Sequence, residues 1–178
     1  MEIQQRIVQK LEKLAAKGPK EVEAIELDGS QRGYLVGVSP EGPGSGVSLN
    51  LEEYDRFSVS VRHLEVYDSR LNITEGESYL GQVAAEICQK VVYLDERLIL
   101  VELDKVENIA QLRSELPDTE ALERTYWEVM VYITPHPHTQ VRRYHWSAGT
   151  AGRNLVSYPM TFATVGRLAE DLAKSLAS

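Results

Sequence analysis

The sequence predicts an α+β fold: an antiparallel or mixed sheet of about six to seven strands, packed with N-terminal, central and C-terminal helices. Three observations predict it. Apolar residues recur at helical spacing near the start, the middle and the end of the chain. Between them lie runs rich in Val, Ile, Tyr and Trp, bounded by Gly, Pro, Asp and Ser. The two kinds of segment come in blocks and not in strict strand-helix alternation, which disfavours a parallel, doubly wound sheet.

In the first block, Ile3, Ile7, Leu11 and Leu14 share one helical face, and Gly18-Pro19 is a stop signal. "EVEAIELDGSQRGYLVGV" then sets two β-rich runs around Asp28-Gly29-Ser30, a hairpin. "SPEGPGSGVS" is a connection. Its Gly42, Gly44 and Gly46 are not followed by the Gly-Lys-Ser/Thr and helix that a phosphate-binding loop requires. In "FSVSVRHLEVY", Phe57, Val59 and Val61 alternate on one face and the phase then switches to Leu64 and Val66. Such a switch predicts a β-bulge near Arg62-His63, with His63 read as structural.

Thr74-x-x-Glu77 has the form of a capping box, and Leu80, Val83, Ala84, Ile87 and Val91 follow at helical spacing. Cys88 borders that stripe and is expected to be a buried, inert thiol. "ERLILVEL" reads as a strand, and "VENIAQLRSEL" as a helix through Ile109, Leu112 and Leu116 that stops at Pro117. "TYWEVMVYI" and "TQVRRYHWS" are strands joined by "TPHPH". "LVSY" is a short strand, and Phe162, Val165, Leu168, Leu172 and Leu176 line a terminal helix. With no internal repeat or low-complexity tract, residues 1–178 are expected to form a single globular domain. The block order helix, strands, helix, strands, helix resembles in outline that of small acidic secretion-chaperone-like folds, a likeness of architecture alone.

Composition narrows the function classes. Hydrophobic content of 43% and charged content of 26% suit a soluble globule. No stretch approaches the ~18 apolar residues of a membrane span, and "MEIQQRIVQKLEKL" lacks the apolar core of a secretory signal. The expectation is a cytoplasmic protein that engages no membrane. One cysteine excludes an intramolecular disulfide and a multi-thiolate metal site. A net charge of −8 argues against nucleic acid as a partner, since that requires neutralising phosphates.

The distribution of charge is more informative than its sum. Residues 1–128 hold 25 acids and 14 basic residues, whereas 129–169 hold no acid and four arginines: Arg142, Arg143, Arg153 and Arg167. Inside that segment, "YITPHPHTQVRRYHWSAGTAGRN" carries three of the four histidines. Pairing Ile133 with Gln140 across the "TPHPH" turn would set Trp127 opposite Trp146, Val129 opposite Tyr144 and Val131 opposite Arg142 on one face. The other face would then pair Glu128 with His145 and Met130 with Arg143.

That register bears on three readings of the segment. For a metal, His145 lies too far down the strand to join His136 and His138, and Pro135 and Pro137 favour an extended turn in which those two side chains diverge. Neither a metal nor a cofactor is expected. For an anion, Arg142 and Arg143 point to opposite faces, so the convergent pair is Arg143 with Arg153, beside a backbone concavity at Gly149 and Gly152. The structural reading holds that the arginines neutralise acids of the first 128 residues, within the molecule or across a dimer interface.

No nucleophile elbow, His-Glu-x-x-His or dinucleotide fingerprint is present. The sequence therefore points to a small cytosolic binding or accessory protein. Its segment 129–169 would meet an acidic protein partner, a small anion or a second copy in a homodimer. The alternative is an enzyme on a small anionic substrate, with Arg143 and Arg153 as clamps and His145, tuned by Glu128, as general acid/base. Whether there is catalysis is left open.

Overall fold

The computed structural model of the protein describes residues 2–39 and 42–178. The Gly/Pro/Ser connection therefore falls partly outside the described residues, at Pro40 and Glu41. Within them the architecture is α+β, with an open antiparallel sheet of eleven strands and three α-helices. The helices are α1 (Ile3–Lys17), α2 (Gly76–Lys90) and α3 (Phe162–Leu176). Four strands precede α2: β1 (Glu23–Glu26), β2 (Arg32–Val38), β3 (Ser45–Tyr54) and β4 (Ser58–Asp68). After it come β5 (Leu98–Asp104), β6 (Ile109–Ser114), β7 (Asp118–Glu120), β8 (Glu123–Tyr132) and β9 (His138–Ser147). Two short strands, β10 (Asn154–Val156) and β11 (Tyr158–Thr161), lead into α3.

The strand count exceeds the expected six to seven for identifiable reasons. β7 and β11 are only three and four residues long. β3 alternates inward Val47, Leu49 and Leu51 with outward Ser48 and Asn50, a signal masked by the Gly/Ser run before it. The segment 106–116, expected to be helical, contains β6 instead. Ile109, Leu112 and Leu116 mimic helical spacing, yet Leu116 is exposed and the inward set is Ala110, Leu112 and Ser114 at a period of two. Asp104 accepts the backbone N–H groups of Val106 (2.8 Å) and Glu107 (2.9 Å), turning the chain back into a β5–β6 hairpin.

Eight strands lie in the order β1-β2-β3-β4-β9-β8-β6-β5, so the two halves of the chain meet along β4 and β9. These two pair only from Leu64↔Val141 to Tyr67↔His138. Beyond that they diverge, and the stretch 154–161 fills the fork: β10 pairs with β9 and β11 with β4. The fork opens where Asn50 pairs with His63 but Leu51 pairs with Val61, leaving Arg62 as the extra residue of a bulge. The phase switch in the sequence had placed that bulge correctly.

All three helices pack on one face. Ile7, Leu11 and Leu14 of α1, the Leu80–Ile87 stripe of α2, and Phe162 through Leu176 of α3 share one core with the inward residues of the strands. The capping box does not form. α2 starts at Gly76 without a side-chain cap, and Glu77 pairs with Lys105 at 2.6 Å. Cys88 is half-buried, not buried, and burial raises its thiol pKa. α1 also lacks a local cap, and its Gln4 N–H is satisfied by the Glu170 carboxylate of α3 at 3.0 Å. The opposite face of the sheet carries no helix among the described residues, and no helix is long and apolar enough to cross a membrane.

Candidate functional site

The β8–β9 register differs by three residues from the expected one. Tyr132 pairs with His138, Trp127 with Arg143, and Glu128 with Arg142. The turn occupies only 133–137, and the core face selects the β-branched Val129, Val131, Thr139 and Val141 in place of a tryptophan pair. Because three is odd, one strand's side chains reverse face relative to its partner. Trp127 is buried against the helices, whereas Trp146 lies on the helix-free face at 36% exposure.

This register separates the residues proposed to act together. Arg143 points into the helix-covered side, where Nη1 and Nη2 donate to the two carboxylate oxygens of Glu96 at 2.9 and 2.8 Å. The rings of Trp127 and Tyr158 lie 4.9 and 4.8 Å from its guanidinium. Arg153 is on the other face, so it does not converge with Arg143. Its Nη1 and Nη2 donate to Glu128 at 2.6 and 2.9 Å, and its guanidinium lies 3.7 Å from the Tyr144 ring centroid. Arg113 Nε (3.0 Å) and Gln111 Nε2 (2.7 Å) complete the shell of Glu128. Burial alone would raise that carboxyl's pKa, but the hydrogen bonds and charge of Arg153, with Gln111 and Arg113, hold it below the ordinary range. Glu128 is therefore an anchored counter-ion, already saturated with donors.

The remaining candidates are dispersed. His145 Nε2 lies 3.3 Å from Glu123, not beside Glu128, which is on the opposite face. The pairing of His145 with Glu128 is thus corrected, and the acid/base proposal built on it loses its partner. Gly149 and Gly152 have positive φ in an exposed turn closed by Thr150 and Ser147, with nothing near either glycine to complete a ligand cradle. His136 and His138 do not diverge as expected. Their rings are 5.5 Å apart, next to Tyr67 and Tyr132, and His138 Nδ1 lies 2.8 Å from the His136 carbonyl. Among the described residues, no three His, Cys, Asp or Glu side chains group as metal ligands.

A recess of about 360 Å³ opens on the helix-free face at the mouth of the β4/β9 fork. Glu26, Leu27 and Asp28 (the β1–β2 hairpin), Asn50 (β3), Arg62 and His63 (β4), Arg142 (β9) and Leu155 (β10) line it. Its geometry follows from the bulge, which turns Arg62 and His63 together away from the core, since Val61 and Leu64 on either side both face inward. Arg62 is engaged by Asp28 and Glu52. His63 sits one step beyond the last β4–β9 pair, next to Arg142, and its pKa is lowered to about 4, first by burial and then by the Arg142 charge, against the opposing pull of Glu65. The phase switch in the sequence locates the bulge, while the nearness of Arg142 to His63 is set by how β9 meets β4.

No protein-family model matches the chain, no curated protein matches it in sequence, and no solved structure matches its fold.

Proposed function

We propose that this protein is a binding or accessory module that uses the helix-free face of its sheet, where segment 129–169 contributes to it, to hold a negatively charged group. One observation carries the reading. Three of the segment's four arginines meet a carboxylate inside the molecule: Arg143 with Glu96, Arg153 with Glu128, and Arg167 with Asp171. Among the described residues Arg142 meets none, and it lines an open recess. Its neighbour across the ladder, Glu128, is already held by two other arginines. Glu128 is thus satisfied by Arg113 and Arg153, and Arg142, paired with it only through the backbone ladder, adds a positive charge on this face within a chain of net −8. An acidic protein segment, a small anion or the acidic body of a second copy would each supply the missing charge. The enzymatic alternative has no geometric support from its own residues, because Arg143, Arg153 and His145 do not share a cavity.

The reading is tested by sedimentation of the protein, alone and with polyglutamate, between 0.1 and 1 M salt, a range that shortens the Debye length from about 10 to about 3 Å. Association that weakens with salt, and weakens further in Arg142→Glu, is the expected result. No association with either partner at low salt would remove the reading. Arg143→Glu is unsuitable as a probe, because it would set two carboxylates together in the core.

A further inference from the structure

Seven buried side-chain polar atoms lack a hydrogen-bond partner among the described residues, and three of them belong to the recess: Arg62 Nε, His63 Nε2 and Arg142 Nε. A buried polar group without a partner is destabilising, so three such groups gathered just beneath one recess mark a place where a bound acceptor would relieve a local deficit. Resting on the reading of this face as the binding surface, we infer that the recess is an oxyanion site for one carboxylate, phosphate or sulfate group, held by the Arg142 guanidinium and by His63 once that imidazole takes up a proton.

The charges facing His63 decide how the site works. Arg62 and Glu65 come from its own strand, Arg142 from β9, and Glu26 and Asp28 from the β1–β2 hairpin, while Asn50 on β3 is neutral. Arg62 is shared by Asp28 and by Glu52 of β3, and Asp28 and Glu26 are exposed to water, which screens them. Arg142 remains as the cation that forms no ion pair among the described residues. With the recess open, burial first and then the Arg142 charge hold the His63 pKa at about 4, so the ring stays neutral well below pH 7. An oxyanion against Arg142 cancels the repulsion and gives an imidazolium a partner, so binding and protonation of His63 favour each other. Leu155 and Leu27 add apolar surface to the wall of the recess beside these charges.

The coupling can be read at His63 itself. NMR titration of its ring between pH 4 and 8 is carried out with and without saturating sodium sulfate, whose charge is constant across that window. Sodium chloride of equal ionic strength is the control. Acetate near pH 7 is the carboxylate arm. Sulfate is expected to raise the apparent His63 pKa by about two units, and by linkage sulfate affinity should then rise roughly tenfold as pH falls from 7 to 5. Arg142→Gln should abolish both effects. Leu155→Trp, which fills the recess without altering charge, should block binding and so guards against a misfolded Arg142 variant. A His63 titration identical in sulfate and chloride would overturn the assignment, as would sulfate binding retained by both variants. Polyglutamate binding with no sulfate response would sink the recess but spare the binding face, whereas silence to every anion together with no self-association at low salt would end both.

Discussion

Arg143 and Glu96 form a two-armed ion pair, 2.9 and 2.8 Å, on the helix-covered side of the sheet. The pair fastens the segment after α2 beneath β9, and both residues are under 10% exposed. Removing one partner from such a pair leaves the other charge buried and costs about 3–5 kcal/mol, whereas replacing both by apolar groups is often neutral. Arg143→Met and Glu96→Leu should each destabilise the protein by that amount in urea titration, and the double variant should recover most of the loss. Single-variant costs below about 1 kcal/mol would show that the pair is not desolvated.

The state of His63 sets a pH window for stability. The unfolded chain protonates this residue near the ordinary value of about 6.5, while the folded protein does so only at about 4. Between those values the unfolded state binds more protons, so stability is full above pH 6.5 and declines as pH falls toward 4. The decline attributable to His63 is at most about 3 kcal/mol, since one pKa unit corresponds to 1.36 kcal/mol. His63→Phe should flatten the curve between pH 6.5 and 4.5. It should leave the separate loss at lower pH, where Glu128 gives up its arginines. An unchanged slope in the variant would contradict the assignment.

At Gly166, α3 packs closely against α1. A Cβ there would sit 2.9 Å from the Gln4 carbonyl oxygen and 3.1 Å from its Cγ. Alanine ordinarily favours a helix interior over glycine by about 1 kcal/mol. Here Gly166→Ala should instead lower Tm, and Gly166→Val should do so further, by roughly 1–3 kcal/mol of overpacking. A rise in Tm for the alanine variant would mean that α1 can shift without loss.

The two tryptophans report the strand register. Trp127 is 3% exposed and Trp146 is 36% exposed, on opposite faces. Iodide should therefore quench the Trp127→Phe variant, which keeps Trp146, several-fold more efficiently than the Trp146→Phe variant. Equal quenching would favour a register in which the two rings share a face.

Much of the fold was legible in local sequence. The inward faces of α1, α2 and α3, the hairpin at Asp28-Gly29-Ser30 and the bulge at Arg62 follow from spacing that neighbouring residues reveal. Segment 106–116 was misread because Ala110 and Ser114, the small inward residues of β6, carry little hydrophobic signal, while Ile109, Leu112 and Leu116 imitate a helix. At the candidate site, the sequence showed the acid-free run and the opposed directions of Arg142 and Arg143. It could not show which arginine would be left without a counter-ion.

What the sequence determined by itself is the periodicity of each element, and hence which side chains of one strand or helix share a face. That depends only on the 3.6 and 2.0 repeats of the backbone. Tertiary structure alone decided the partners. Glu96 reaches Arg143 across 47 positions, Glu128 reaches Arg153 across 25, and Glu170 supplies the N-terminus of α1 across 166. A three-residue change of register, set by how the valines of β8 and β9 fill the core, took Glu128 from His145 to Arg142. The fork between β4 and β9 then placed that arginine beside His63. Charge pairing and cavity formation depend on distances through space, and a linear pattern does not encode these until the strands are in order.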